Sequence, residues 1–530
     1  MSVQRTLRAT TLRGGAVLVT SLLSLTVSLH AHAQADDDDE EGEKPAAVAP
    51  AAAQPAAEAD ASLKLGAKAE ASPAVTAEGD AQGKATAGAA AEGAAPEGAP
   101  ASPETGCGRG KGDGFGVSIC GFAALNVMKD STQSFTTNVG NNIVWRQGTY
   151  RGNHDQLQFT ARDSRLTFEA RAPETHGIRV AGTVQLDFNG YMPTETTEAE
   201  QFTIGPVRLR LGYFTAKTPL VDVLAGQYHD LFGWGGSGFY PATLAFLGVT
   251  GEVYHRQPQL RLSKTIGDSN DAVNVEIAAA AMRPVQKDSG IPDGEAGLRL
   301  AVNGWKGAAA SAYGQPGLTA LGIGVSGIAR RFEVAEFLPL SIESQKVTGW
   351  GFAANAVLPI IPVAKNDDRS NALTLTGEFS MGTGISDMYS DLTGGALFPA
   401  LPNDGNLPVP PLYQPNVDSG IVTWDANREL KTIDWRGFVI GVQYYLPIAK
   451  GRVWLSGIFA QMVSKNVVAL TPRPNRGNVF DKAQYIDGSL FVALTEQWQT
   501  AVSLQTVEQT FGDGFKARNN RLEFGTHYFF

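Results

Sequence analysis

Cysteine, histidine and long apolar runs are all scarce in this chain, and each scarcity removes a class of protein. Two cysteines in 530 residues cannot build a disulfide-stapled scaffold or a cysteine-rich metal site. The five histidines beyond residue 35 (His154, His176, His229, His255 and His527) stand in no metal-ligand spacing, and no HExxH, CxxC pair or nucleophile elbow occurs. Gly110-Lys111-Gly112-Asp113-Gly114 is glycine-rich but lacks the spacing of a phosphate loop. The expectation is therefore a non-enzyme without cofactor or metal. The pair His154-Asp155 is the nearest approach to a rim hydrolase. Beyond residue 35 the longest apolar run, Ile277 to Met282, is mostly alanine and far shorter than the roughly 20 residues of a membrane helix. Charged residues make up 18%, below the roughly 25% of soluble domains, and the net charge of −10 argues against a nucleic-acid partner.

That charge is unevenly spread. Arg5, Arg8 and Arg13 precede an apolar stretch from Ala16 to Leu29, and Ala31-His32-Ala33 and Ala33-Gln34-Ala35 are small-x-small cleavage patterns. Residues 1–35 read as a secretory signal peptide, with no cysteine after the cut to carry a lipid. Residues 36–105 open with Asp36-Asp37-Asp38-Asp39-Glu40-Glu41 and continue as Ala, Pro, Glu and Gly without an aromatic residue. They carry 15 acidic and 4 basic side chains and have too little apolar surface to offset the entropy of ordering, so they read as a disordered arm. The remaining body, 106–530, is nearly neutral, with 38 acidic against 36 basic residues.

The body alternates with period two. Ile178, Val180, Gly182, Val184, Leu186 and Phe188 interleave with polar partners, as do Val207, Leu209, Leu211 and Tyr213, and Leu522, Phe524, Thr526, Tyr528 and Phe530. Sixteen candidate strands are separated by eight long and seven short connections, the signature of a transmembrane antiparallel up-and-down β-barrel of about 16 strands with both termini in the periplasm. The ninth candidate, 308–330, is overlong and interrupted by Gly314-Gln315-Pro316-Gly317. Splitting it would add a hairpin and give eighteen strands. The chain ends on Phe530 with Tyr528 and Phe524 on one face, the kind of terminal strand read by the barrel assembly machinery. Together these features place the protein in the bacterial outer membrane, with its arm in the periplasm and its apolar faces toward lipid.

The polar faces then line a lumen. The inward set of the second, third, fourth and sixth strands contains Arg165, Arg171, Arg179, Arg208, Arg210 and Arg261 against Glu169 and Asp187. Such a basic ladder, between low-dielectric walls, concentrates anions. The alternative is pairing with loop acids such as Asp230 and Glu252. In the second strand, Leu157 and Phe159 have the opposite parity to Leu166 and Phe168, so a bulge is expected between them. The third long loop, 228–255, contains Asp230, Phe232, Trp234, Phe239, Tyr240 and Glu252 in an apolar, glycine-rich setting unsuited to projecting into water. It is expected to fold inward and constrict the channel, or else to pack in a subunit interface. The function expected is a water-filled channel for passive diffusion of small hydrophilic, anionic solutes. Its alternatives are a structural barrel anchoring a periplasmic tether and, further off, a barrel hydrolase.

Asp163-Ser164-Arg165-Leu166, Asp187-Phe188-Asn189-Gly190, Arg208-Leu209-Arg210, Gly226-Gln227 and Arg256-Gln257-Pro258-Gln259-Leu260-Arg261 together resemble the DcaP-like trimeric outer-membrane porins. The resemblance covers about 157–266 and, more loosely, the last strand. It implies a homotrimer of sixteen-stranded channels that admit small anionic organic molecules along strand arginines. The N-terminus departs from that family, because 36–105 has no heptads and is rich in proline. Finally, Cys107 and Cys120 enclose a short glycine-rich stretch and, in an oxidising compartment, suit a disulfide that fixes the arm to the first strand.

Overall fold

The alternating segments pair edge to edge until they close on themselves. The structure is a computed structural model, and it describes residues 115–135, 143–190, 206–235, 239, 248–267, 271–286, 289–310, 317–336, 342–390, 417 and 420–530. The segments read as a signal peptide and an arm, and the boundaries drawn at 35 and 105, lie outside the described residues, as do Cys107 and Tyr240. Sixteen antiparallel strands form the barrel. They are β1 (Gly116–Asp130), β2 (Gln156–Thr160 and Arg165–Arg171), β3 (Arg179–Asp187), β4 (Arg208–Lys217), β5 (Asp222–His229), β6 (Arg256–Ile266), β7 (Val273–Met282) and β8 (Asp293–Ala309). The second half comprises β9 (Gly317–Ala335), β10 (Ser344–Ile361), β11 (Leu373–Thr383), β12 (Asp434–Tyr445), β13 (Val453–Ser464), β14 (Phe480–Ala493), β15 (Trp498–Phe511) and β16 (Lys516–Phe529). Among the described residues no helix is long and apolar enough to cross a membrane, so any crossing is made by strands.

Alternation decides the faces. Leu260, Leu262, Phe438, Ile440, Leu490, Val502, Leu522 and Phe524 are exposed on the outside, whereas Gln259, Arg261, Val439, Ser489, Ser503 and Glu523 are buried on the inside. An apolar exterior over a polar interior inverts the soluble pattern and suits a barrel solvated by lipid. Phe530, Tyr528 and Phe524 of the terminal strand all face outward and are exposed.

Three local departures correct the simple alternation. The two pieces of β2 pair with the same strand, Asn126 opposite Thr160 and Phe122 opposite Arg165, so β2 carries one residue more than β1 over this stretch. This is the expected bulge, and it leaves Arg165 and Arg171 on the inner side. A second irregularity places Leu211 opposite Gln185 but Leu209 opposite Leu186. Arg210 and Leu211 are consecutive and both buried. Beyond that point the parity of β4 is reversed, and Leu211, read as lipid-facing, is wholly buried instead. Third, the chain does not reverse at the turn expected at 303–307: β8 continues to Ala309, which lies opposite Gly317. The register shifts from Lys306 opposite Ala320 to Val302 opposite Leu321, so Asn303-Gly304-Trp305 bulges within β8 instead of reversing the chain. Moving the turn resolves the overlong ninth segment without a further hairpin, and eighteen strands are excluded.

Closure is made between β1 and β16, from Phe122 opposite Phe529 to Asp130 opposite Arg521. Gly121 and Phe530 exchange backbone hydrogen bonds of 2.9 and 3.0 Å at the lower end of this seam. At the upper end Arg521 donates from Nε and Nη2 to the two carboxylate oxygens of Asp130, both at 2.8 Å, and Asn519 donates to Oδ1 at 2.8 Å. Both charges are buried, so removing one leaves the other uncompensated, at a cost of about 3–5 kcal/mol. Arg521→Ala is expected to lower the thermal unfolding midpoint of the barrel clearly, with Asp130→Ala in the same chain recovering part of the loss. Arg518→Ala, which breaks a more exposed pair with Glu508, is expected to change stability by less than about 1 kcal/mol. Equal shifts for Arg521→Ala and Arg518→Ala would show that the seam charges do not hold the closure.

Candidate functional site

The ladder arginines form two groups. Around Asp187, Arg208 donates from Nε to Oδ1 (3.0 Å) and from Nη2 to Oδ2 (2.6 Å), and Arg210 adds Nη1 to Oδ2 at 3.2 Å. Two guanidinium groups thus share one carboxylate. Arg210 also donates to Gln185 Oε1 at 3.1 Å and to the Tyr254 hydroxyl at 2.9 Å. Arg261 donates to neutral acceptors, Gln259 Oε1 at 3.0 Å and the His229 carbonyl at 2.6 Å, and lies over the Tyr228 ring. Arg165 is buried with its guanidinium over Phe122. Toward the short-turn end, Arg171 pairs with Glu169 at 2.5 Å, and Arg179 sits exposed near Glu174 at 3.8 Å. Arg171, Arg179 and Arg208 keep 29%, 61% and 25% of their side chains accessible, whereas Arg165, Arg210 and Arg261 are buried. Asp230 does not neutralise these arginines. It accepts instead from His255 Nδ1 at 2.7 Å and Gln257 at 3.3 Å.

The bulges explain why these residues meet. Gly226 has φ +126°, and a Cβ there would lie 2.3 Å from the Gly212 carbonyl oxygen, so only glycine permits β5 to press against β4 at this point. The next side chain, Gln227, donates its amide to the carbonyls of Leu209 and Arg210 at 2.9 and 3.0 Å, bonding backbone that the β4 bulge leaves unpaired. In the β2 break Arg162 donates to the carbonyls of Phe188 and Gly190 at 2.9 and 3.2 Å. Arg162 was not singled out in the sequence, where its only sign was the parity change around it.

The described residues of the third long loop, 230–235, 239 and 248–255, turn inward, and several of them lie against the inner faces of β7–β11. Glu295 of β8 accepts the backbone N–H groups of Leu231 and Phe232 at 2.7 and 2.9 Å. Ser326 of β9 accepts that of Gly233 at 2.8 Å, and Trp234 Nε1 donates to the Val325 carbonyl at 2.9 Å. Glu378 of β11 accepts the N–H of Val253 at 2.6 Å and the Asn355 amide at 2.6 Å, holding the returning limb. The aromatic rings enter slots left by inward glycines. A Cβ on Gly324 would lie 2.7 Å from the Trp234 ring, one on Gly297 2.9 Å from it, and one on Gly351 2.9 Å from Phe232. Phe239 and Leu231 are buried beside Ala278, Ala280 and Met282 of β7.

This loop is stitched to the sixth, 384–433. Val253 and Tyr389 form an antiparallel bridge, and Tyr254 and Ser390 donate backbone N–H groups to Met388 and Glu252 at 2.9 Å each. Arg330 of β9 binds Asp387 through two bonds of 2.5 and 2.7 Å and Asp293 at 2.9 Å. Phe135, Val144, Phe232, Val253, Met388, Tyr389, Val467 and Val479, from four connections, join inward residues of β9–β16 in one buried apolar cluster. A packed apolar core therefore lies inside β9–β16, whereas the ladder arginines lie on β2–β6.

His255 closes the base of the third loop against Asp230. Burial alone would lower its pKa, but Asp230, and secondarily Asp387, raise it above the ordinary value near 6.5. A raised folded pKa means that the protonated ring stabilises the stitched loops fully below pH 6.5, and that this stabilisation is lost as pH climbs through the folded value. Hydrogen exchange at the Tyr254 and Ser390 amides is expected to accelerate over that range. His255→Gln is expected to flatten the dependence, and an unchanged pH profile in the variant would reject His255 as the titrating group.

A closed sixteen-stranded antiparallel barrel with its third loop folded inward defines the class: the fold is that of the outer-membrane channels of porin type. Among solved structures the chain resembles the outer-membrane channel DcaP of Acinetobacter baumannii, at 15% identity and a TM-score of 0.53, over 79% of this chain and 98% of that one. OmpT of Vibrio cholerae (10% identity, TM-score 0.42, over 79% of this chain and 99% of that one) and OprB of Pseudomonas putida (10%, 0.42, 79% and 94%) are more distant. No protein-family profile and no curated protein matches the sequence. Cys120 faces inward on β1 and is disulfide-bonded.

Proposed function

We propose that the chain forms a water-filled channel in the bacterial outer membrane for passive diffusion of small hydrophilic solutes, with anions preferred. The observation that carries the preference is the division of charge inside the barrel. On β8 and β11 the carboxylates of Glu295 and Glu378 are turned onto backbone N–H groups of the third loop and are covered by it. On β3 and β4 two arginines share the single carboxylate of Asp187, and Arg261 is held by neutral acceptors. The β2–β6 side thus keeps a positive excess among the described residues, and a low-dielectric wall strengthens its field. Apolar faces supply the contact with membrane lipid, and the resemblance to trimeric channels supports a homotrimer. Phe530, Tyr528 and Phe524 supply the outward aromatic strand end that the barrel assembly machinery would read. The proposed disulfide between Cys107 and Cys120 would tie the periplasmic arm to β1.

Reversal potentials in a salt gradient test the charge division. The protein in planar bilayers is expected to conduct in steps and to prefer chloride to potassium. Arg208→Gln, which leaves Asp187 balanced by Arg210 alone, is expected to reduce that preference. Cation selectivity of the unaltered protein would overturn the proposal. Deleting 234–248 is expected to raise single-channel conductance if the third loop constricts the channel as proposed; unchanged conductance would refute a constriction by this loop.

A further inference from the structure

The outer face of β12–β16 is ordered in rows by the strand register. Ile440, Phe459 and Ile486 lie in one apolar row across β12, β13 and β14. Two residues nearer the end at which β12 begins, Gln461, Gln484, Glu508 and Arg518 form a polar row across β13–β16. Two residues further, Arg436, Val463, Lys482, Thr510 and Lys516 share a row in which every second strand carries a cation. Their parity is that of the exposed Phe438, Ile486 and Leu522, so all three point away from the lumen.

The rows differ in how their charges are satisfied. Arg518 is taken by Glu508, with bonds of 3.0 and 2.5 Å. On β9 and β10 Arg331 and Lys346 share Glu333, at 3.0 and 3.4 Å. Arg436, Lys482 and Lys516 form no ion pair among the described residues, the nearest acid being Asp481, which precedes Lys482 in the chain and interacts with it electrostatically. Strands about 4.8 Å apart set neighbouring cations of the row about 10 Å from one another. Long cationic side chains above an apolar belt lie along it while their charges reach the headgroup layer.

We propose that Arg436, Lys482 and Lys516 form a docking row for the phosphate groups of phosphorylated glycolipid in the outer leaflet. This rests on the reading of the chain as an outer-membrane barrel with its long loops outside. Lipid is favoured over free phosphate because the cations stand, one polar row removed, above an apolar row that would contact the acyl chains of the same molecule.

The experiment titrates the full-length protein in detergent micelles with diphosphoryl lipid A and counts bound lipid by native mass spectrometry. Tight binding is expected, and the variant Arg436→Gln/Lys482→Gln/Lys516→Gln is expected to lose about fivefold in affinity per cation, on the order of a hundredfold in all. Phosphatidylcholine is expected to bind both forms equally weakly. Equal affinity of the two forms for diphosphoryl lipid A would overturn the proposal, and so would displacement of the lipid by millimolar inorganic phosphate. Heat-resistant electrophoretic mobility checks that the variant is folded, and its single-channel conductance is expected to match that of the unaltered protein. An unaltered protein that binds lipid A through this row but conducts nothing would refute the channel function and leave the docking row standing.

Discussion

Within a bilayer there is no water to receive a backbone hydrogen bond, so a sheet that crosses one must have no free edge. The rest of this structure depends on that requirement. Every strand must find two neighbours, and the last must return to the first. The ladder from Phe122–Phe529 to Asp130–Arg521 is the condition on which the other fifteen pairings leave no unpaired edge. Once the ring is closed, the two-residue period of a strand allows only two environments, and lipid claims the apolar one. The polar half is gathered inside, where its charges must be satisfied without bulk solvent on all sides.

A ring of sixteen strands encloses more space than its own inward side chains fill. Connections from one end enter that space, and their apolar residues form with β9–β16 a core inside the barrel rather than between sheets. The charges within obey the same economy on both walls but by different means. Arg330 is neutralised by Asp293 and Asp387, and Arg521 by Asp130. Glu295 and Glu378 take backbone N–H groups instead of cations, so they act as anchors for the third loop. Because those acids are spent on holding the loop, the arginines of β3, β4 and β6 keep a surplus.

Much of this was legible in the sequence because alternation is a local property. Strand number, the inward side of Arg165, Arg208, Arg210 and Arg261, the bulge in β2 and the inward course of an apolar third loop all follow from neighbours a few residues apart. Failures arose where a local signal has two meanings. Asn303-Gly304-Trp305 has the composition of a turn, yet it is a bulge whose Trp305 donates to the Pro359 carbonyl at 2.6 Å. Leu211 continues an apolar series, yet the bulge at Arg210 carries it to the inside. Nothing near Glu378 in sequence announces that it holds Val253, 125 residues away.

The glycine content acquires a specific meaning from the same geometry. Gly297, Gly324 and Gly351 alternate with lipid-facing residues and so occupy inward positions, where their missing side chains make the slots that receive Trp234 and Phe232. The loop is placed by vacancies in the wall opposite its own origin, together with two carboxylates beside them. A side chain added at any of these glycines would meet a ring at 2.7–2.9 Å and push the loop back toward the arginines. Under the proposed channel function, width on the β2–β6 side would be set from β8–β11, and charge by the arginines on other strands. The two properties reside on different strands, so channel width can change through the glycines without altering the arginines, and charge can change without moving the loop.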